Sequence, residues 1–417
     1  MQTVTERFLR YVQVDTQSVP DVTDRFPSSE KQRDLAHMLA QELREMGAHN
    51  VREDAYGYVY ATLPANTERV PSIGLIAHMD TSCAVSGKDV KPQVHPAYAG
   101  GPIALQGGSV LSPEEFPELL HMLGQDVITS DGTTLLGADD KAGVAEIMTV
   151  AQTLLSDPSI PHGAVQIAFT PDEEVGNGVM HFDVDGFGAD YAYTVDGGEL
   201  GEMEYENFNA ATAKLRIRGL STHPGTAKGR MKNALLLAME FQQMLPVFEN
   251  PMYTEGYEGF THLVSLSGTV EEAQAEYILR DHDLALLQQK KARMHKIAQY
   301  LNERYGEGTV ELSIVDAYFN MKEQIEPHFH LIENAKRAMR EIGVVPRVIP
   351  IRGGTDGARL SFMGLPCPNL CTGGLNFHSR LEFISVQAME QVVALLLRIV
   401  QLYAQPGTDA AVDAKEK

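Results

Sequence analysis

The sequence contains no tryptophan and only three cysteines, Cys83, Cys367 and Cys371, among 417 residues. An odd and small number of cysteines excludes a disulfide framework and indicates a reducing compartment. The N-terminal stretch "MQTVTERFLRYVQV" carries charges throughout and lacks the apolar segment of a signal peptide. No apolar run in the sequence approaches the length of a membrane span. We therefore expect a cytoplasmic protein without a membrane partner.

Basic residues are few: 34 Lys and Arg stand against 56 Asp and Glu, which gives a formal net charge of −22. Such a charge disfavours nucleic acids and anionic membranes as partners. The excess carboxylates fit a soluble acidic surface, and they also fit carboxylates gathered to hold cations. A chain of 417 residues is longer than one hydrophobic core usually supports, so two domains are expected.

The first half of the chain alternates between helical and strand patterns. "LAHMLAQELREM" has the apolar spacing of a helix, and so does the stretch that follows Asp140. "YGYVYATL", "SIGLIAHM", "AVQIAFT" and "DYAYTV" are typical of short buried strands. This alternation predicts an α/β layer with a mostly parallel central sheet.

The pattern changes after about residue 208. Strand, helix, two paired strands, a long charged helix and a further strand follow in the order βαββαβ, which predicts a ferredoxin-like α+β sandwich. The α/β pattern returns after about residue 320. We therefore expect residues 208–319 to form a domain inserted into a first domain made of residues 1–207 and 320–417. The tail, residues 405–417, is predicted to be disordered.

Polar side chains end several predicted strands or precede a helix, and ligand sites in open α/β sheets lie at the carboxyl ends of strands. Alone, each group has an ordinary explanation, such as a helix cap, a solvated acidic turn or a structural histidine. The candidates are His78 with Asp80, Asp139 with Asp140, Glu173 with Glu174, Asp196, and His378.

Taken together, two histidines and several carboxylates are the ligands expected for a pair of divalent cations. No cysteine is placed to join them, which disfavours a structural zinc site. A two-metal hydrolytic site needs a bridging carboxylate, terminal ligands on each ion and a base beside a water, and each role has a candidate here.

Eight short motifs occur along the chain in a fixed order. They are "IAHMDTS", "LLGADDKAG", "FTPDEEVG", "YTVDGG", "THPGTAKG", "IRGGTDGA", "SFMGLPCPNL" and "TGGLNFH". Together they resemble the co-catalytic di-zinc metallopeptidase family that includes carboxypeptidase G and acetylornithine deacetylase. The resemblance covers nearly the whole chain. It implies a di-zinc exopeptidase domain with an inserted lid domain, through which the family often forms homodimers.

The resemblance also implies the metal ligands. His78 and Asp196 would bind one Zn²⁺, Glu174 and His378 would bind the other, and Asp139 would bridge both. Spacing alone leaves open whether Asp139 or Asp140 bridges, whereas the family pattern A-D-x-K favours Asp139. Co²⁺ or Mn²⁺ are expected as substitutes for zinc.

Further roles follow from the same resemblance. Glu173 would be the general base that takes a proton from the water between the ions, and Asp80 would orient His78. A cis peptide bond is expected between Asp139 and Asp140. His223 in the inserted domain would help to stabilise the oxyanion, in the site of its own or the partner subunit.

Two arginines are candidates for binding the carboxylate of a peptide substrate. Arg352 in "IRGGTDG" can make a bidentate contact with a carboxylate, and Arg280 in "YILRD" is the second candidate.

The function implied is a zinc-dependent aminopeptidase that removes the N-terminal residue from tripeptides. One alternative is a related di-zinc amidohydrolase, which would be a dipeptidase, a deacylase of N-acyl amino acids or a carboxypeptidase. The other alternative is a non-catalytic metal-binding protein. Glu173 argues against the second alternative, because it binds no metal in this scheme and has little purpose in a scaffold.

Overall fold

The computed structural model describes residues 2–405, so the tail predicted to be disordered lies outside the described residues except for Gln405. Within that range the α-helices are α1 Val4–Tyr11, α2 Gln32–Met46, α3 Ala138–Ser156, α4 Val184–Phe187, α5 Ala234–Gln243, α6 Leu284–Tyr305, α7 Lys322–Ile325, α8 His330–Glu341, α9 Asp356–Phe362 and α10 Val386–Tyr403. The strands are β1 His49–Glu53, β2 Val59–Leu63, β3 Ile73–His78, β4 Gln93–His95, β5 Ile103–Ala104, β6 Val110–Leu111, β7 Val127–Thr129, β8 Val165–Thr170, β9 Tyr191–Gly197, β10 Glu202–Glu204, β11 Asn209–Arg218, β12 Phe260–Gly268, β13 Glu272–Asp281, β14 Val310–Tyr318, β15 Arg347–Val348, β16 Asn369–Cys371, β17 Gly374–Leu375 and β18 Phe383–Ser385.

The chain divides into two compact units. Unit 1 holds the described residues within Met1–Tyr205, Glu323–Val348 and Thr355–Lys417, and unit 2 comprises Glu206–Lys322 and Ile349–Gly354. The second segment of unit 2 lies in the part of the chain that the sequence pattern assigned to the first domain. It joins unit 2 because the backbone of Ile351 pairs with Asn207 and donates to the carbonyl oxygen of Glu206 at 2.9 Å.

Unit 1 is built on an eight-stranded sheet with the order β1-β2-β8-β3-β9-β16-β10-β15. Its centre, β8-β3-β9-β16, is parallel, and β2 pairs with β8 in antiparallel fashion, as β10 does with β16. All six residues of β3 are buried, as expected for a strand covered on both faces. The predicted α/β class with a mostly parallel centre is confirmed, with antiparallel strands towards the edges.

The parallel centre brings three strand ends to one edge of the sheet. β3 ends at His78, which lies beside Thr170 at the end of β8, and β9 ends at Gly197, three residues beyond Thr194, which pairs with Ile76. Helix α3 approaches this edge closely, since a Cβ on Gly143 would lie only 2.0 Å from the carbonyl oxygen of Val195. Glycine at this position therefore lets the start of α3 lie against the end of β9.

Unit 2 contains a four-stranded antiparallel sheet with the order β12-β13-β11-β14. With α5 after β11 and α6 after β13, this is the ferredoxin-like arrangement predicted from the order βαββαβ. Its core lies between the sheet and the two helices, and it includes Leu215, Phe241, Tyr277, Met294 and Leu301.

Helix α10 corrects the expectation that no apolar run approaches the length of a membrane span. It is long and apolar enough to cross a membrane when only length and composition are considered. More than half of it is buried, and it packs against α3 and α8 of unit 1. A core helix passes the same test of length and composition, so α10 is accounted for as part of the unit 1 core.

Candidate metal centre

His78 is the last residue of β3, and its ring is almost completely buried. Its Nε2 lies 2.9 Å from Asp139 Oδ1 and 3.3 Å from Asp196 Oδ1. Its Nδ1 lies 3.0 Å from the backbone carbonyl oxygen of Asp80 and 3.4 Å from Asp80 Oδ1. One ring nitrogen therefore faces two carboxylates, while the other is held mainly by the backbone of Asp80.

The carboxylate of Asp80 has another task besides the predicted orientation of His78. It is fully buried and accepts hydrogen bonds from the backbone N–H groups of Glu173 at 3.0 Å and Glu174 at 3.2 Å. Since β3 ends before Asp80, this side chain turns towards the loop after β8. Asp80 thus fixes the backbone of both glutamates as well as contacting His78.

Asp139 lies between the two histidines. Its Oδ1 faces His78, and its Oδ2 lies 3.0 Å from His378 Nε2. The peptide bond between Asp139 and Asp140 is cis, as the resemblance predicts. Asp140 is fully buried and accepts a hydrogen bond from the backbone N–H of His78 at 3.0 Å. This geometry favours Asp139 for the bridging role, because each of its oxygens faces a different histidine.

Glu174 and His378 meet on the other side of Asp139. His378 Nε2 lies 3.0 Å from Glu174 Oε2, and His378 adopts a left-handed backbone with φ of 59°. The second oxygen of Glu174, Oε1, is buried and has no hydrogen-bond partner among the protein groups described. A buried carboxylate oxygen without a donor is costly unless a cation or another donor satisfies it.

The residues fit a pair of divalent cations. The ligand atoms of His78, Asp139 and Glu174 lie within 4.8 Å of one another, and so do those of His78, Asp140 and Asp196. Oxygen and imidazole donors in this number suit borderline or hard divalent ions. The structure thus brings the predicted ligands of unit 1 together at one edge of the sheet.

The charges in this centre shift the pKa of the histidines upward. Burial alone would lower the pKa of His78, but the neighbouring carboxylates, with Asp196 foremost, raise it well above its ordinary value. Hydrogen bonds to Asp139 and Glu174 raise the pKa of His378 to about 11. The surrounding carboxylates therefore favour positive charge beside the ring nitrogens of His78 and His378 that face them.

The pKa values of the carboxyl groups shift in both directions. Burial would raise the pKa of Asp139, but hydrogen bonds from His378 and His78 lower it below its usual range. Burial raises the pKa of Glu174 to about 7. Burial, and then the charge of Asp196, raise the pKa of Glu173 well above its ordinary value. The raised pKa values of the two glutamates mean that these buried carboxylates lack positive charge to offset them, which bound cations would supply.

Asp172 helps to hold the loop that carries Glu173 and Glu174. It was not among the residues singled out from the sequence. It has a left-handed backbone with φ of 58°, and its carboxylate accepts hydrogen bonds from the backbone N–H of Ser28 at 2.6 Å and from Gln32 Nε2 at 2.7 Å. Gln32 Oε1 in turn accepts from the backbone N–H of Asp172 at 3.0 Å. The start of α2 therefore holds the residue before Glu173. An acidic residue in the "PDEE" turn was the only signal for it in the sequence.

His223 belongs to unit 2, where it precedes a short turn at Pro224–Thr226 and is exposed. Its Nδ1 accepts a hydrogen bond from the backbone N–H of Gly225 at 3.2 Å. In a neutral ring this contact places the proton on Nε2, so that Nε2 is a hydrogen-bond donor.

Arg352 and Arg280 also belong to unit 2, and both donate to backbone carbonyl groups there. Arg352 Nη1 donates to Gly256 at 2.8 Å and Glu258 at 2.9 Å, while its Nη2 contacts Thr254 Oγ1 at 3.0 Å. Arg280 Nη1 donates to the carbonyl oxygen of Leu279 at 2.9 Å. A bidentate contact from Arg352 to a substrate would require some of these hydrogen bonds to break.

Comparison with known proteins places this arrangement among peptidases. Residues 205–309 match the family model described as a peptidase dimerisation domain, of the M20 type. The chain is 56% identical over 410 residues to peptidase T of Caldanaerobacter subterraneus subsp. tengcongensis, and the match covers 98% of this chain and 100% of that protein.

Solved structures show the same fold. One is the aminopeptidase PepT from Bacillus cereus, with a TM-score of 0.76 and 24% identity over 96% of this chain and 98% of that one. Another is a tripeptidase from Staphylococcus aureus, with a TM-score of 0.77 and 23% identity over 97% of this chain and 98% of that one.

Proposed function

Since this chain belongs to the peptidase T family, we propose that it is an aminopeptidase that removes the N-terminal residue from tripeptides with the help of two divalent metal ions. The observation that carries the proposal is the position of Asp139, whose two oxygens each face a different histidine. We propose Zn²⁺ as the native ion, with Co²⁺ or Mn²⁺ as substitutes.

We assign His78 and Asp196 to one ion, and Glu174 and His378 to the other, with Asp139 between them. When bound, the two ions would polarise the scissile carbonyl group and lower the pKa of the attacking water. The protein supplies the fixed ligand positions and the proton transfer.

Glu173 is the proposed general base. It takes a proton from the attacking water and later delivers it to the leaving amine, so that one carboxyl group serves both steps. Its position is set by the hydrogen bond from its backbone N–H to Asp80, and the adjacent Asp172 is held by Ser28 and Gln32. Asp80 therefore positions the base as well as His78.

A panel of substrates tests the proposed reaction. A tripeptide, a dipeptide, an N-acylated amino acid and a tripeptide with a blocked N-terminus are each incubated with the metal-loaded enzyme. We expect release of the N-terminal residue from the free tripeptide alone, measured by chromatography of the products. Faster turnover of the dipeptide or of the acylated substrate, or release of the C-terminal residue, would support the related amidohydrolases instead.

We further propose that Nε2 of His223 donates a hydrogen bond to the oxyanion that develops during the reaction. Loss of one oxyanion donor typically lowers turnover by roughly 10²–10³-fold, and we expect that loss for His223→Ala with two ions still bound. The measurement pairs kcat with metal analysis. His295→Ala, which removes an exposed histidine of α6, is the control and should keep the normal rate. A normal rate for His223→Ala would contradict the assignment.

Arg280 and Arg352 stay candidates for the substrate carboxylate, and Arg352 would have to exchange hydrogen bonds within unit 2 to serve. We also propose a homodimer formed through unit 2, supported by the match of residues 205–309 to a dimerisation domain. A cytoplasmic location stays a prediction from the cysteine content.

A further inference from the structure

Glu382 is a buried acidic residue outside the proposed ligand set. It is 1% exposed, and it lies between His378 and strand β18 in the chain. A carboxylate buried to this extent must be matched by donors or opposite charge. Its surroundings therefore show what it holds in place.

The donors are backbone N–H groups next to the proposed bridging ligand. Glu382 Oε2 accepts from Leu136 and from Gly137, each at 2.8 Å, and Oε1 accepts from Asp139 at 3.1 Å. Gly137 is the residue before α3 and has no side chain with which to cap the helix. Glu382 thus satisfies N–H groups at the start of α3 that the local sequence leaves open, and its charge suits a helix N-terminus.

Glu382 is itself held in place by the pairing of two strands. β18 follows it directly and pairs with β7, where Phe383 lies opposite Thr129. β7 in turn precedes the segment that leads to Asp139. The carboxylate therefore ties the segment before Asp139 to the strand that follows the His378 loop, so that two proposed ligands share one support.

We propose that Glu382 is a positioning residue of the metal centre, which fixes the backbone of Asp139 so that its carboxylate lies between His78 and His378. The inference rests on the proposed two-metal function. Residues that hold a ligand in place typically contribute 10–100-fold to metal affinity, and we expect Glu382 to contribute on the order of that factor.

The test is zinc binding by the metal-free protein, measured by competition with a chromogenic chelator. Glu382→Gln keeps the shape of the side chain, but its NH₂ group must face at least one backbone N–H, donor against donor. We expect Glu382→Gln to bind zinc about 10–100-fold more weakly than the wild type. Glu382→Asp, which keeps the charge with a shorter reach, should lie between the two.

Ser385→Ala is the matched control. Ser385 is also buried and caps a helix, since its Oγ accepts from the backbone N–H of Ala388 at 2.8 Å at the start of α10. Its loss should lower the melting temperature and leave zinc affinity unchanged. Glu382→Gln with wild-type affinity for two ions would overturn the proposal and leave Glu382 as a helix cap. If that variant does not fold by circular dichroism, Glu382→Asp decides by the same measurement.

The wild-type titration separates this inference from the proposed function. A wild-type protein that does not bind two ions contradicts the two-metal function itself. A wild type that binds two ions, beside a Glu382 variant with the same affinity, contradicts only the role assigned to Glu382.

Discussion

Replacing Glu173 by alanine should lower the turnover of a tripeptide by roughly 10²–10⁴-fold while both metal ions stay bound, because that range is typical of general acid–base catalysis. The hydrogen bond between the Glu173 backbone N–H and Asp80 does not depend on the side chain, so the loop should keep its position. The change therefore removes the base and leaves the ligands in place. The measurements are kcat for a tripeptide and the number of ions per chain.

Glu174→Ala is the matched comparison, because it changes the neighbouring residue of the same loop. Glu174 Oε2 lies 3.0 Å from His378 Nε2, where the second ion is proposed to bind. This variant should lose one ion as well as activity, whereas Glu173→Ala should lose activity alone. The reverse pattern of metal loss would show that the base and the ligand have been exchanged.

The chemical character of the metal centre could be predicted from the sequence because its residues stand at the ends of local strand patterns or beside a helix pattern. Apolar runs ending at His78 and Asp196 predict buried strands, and parallel strands carry their carboxyl ends to one edge of a sheet. The same reasoning predicted the βαββαβ order of unit 2. The exact boundaries of the units could not be predicted from the sequence, because residues 349–354 join unit 2 through pairing with residues far away in the chain.

The supporting contacts could not be read from the sequence. The carboxylate of Asp80 binds N–H groups 93 and 94 residues further along the chain, and Glu382 binds groups more than 240 residues before it. Such pairs depend on the complete packing of unit 1, and a single acidic letter carries no sign of them. For the same reason, spacing alone does not tell whether Asp139 or Asp140 bridges. In the structure each carboxylate oxygen of Asp139 faces a different histidine.

Removal of both metal ions should abolish turnover. Stabilisation of transition-state charge by bound ions is worth several kcal/mol, which corresponds to a loss of at least about 10³-fold in rate. Glu173 would remain in place, but it would have no activated water from which to take a proton. Addition of Zn²⁺ or Co²⁺ should restore the rate, and dialysis against chelator-free buffer without metal should not.

The most direct test of the two-metal aminopeptidase is a titration of the metal-free wild type with zinc. Bound zinc and the release of the N-terminal residue from a tripeptide are measured on the same samples. We expect the rate to rise with bound zinc and to reach its plateau when two ions are bound per chain. Full activity in protein shown to contain no metal would contradict the account.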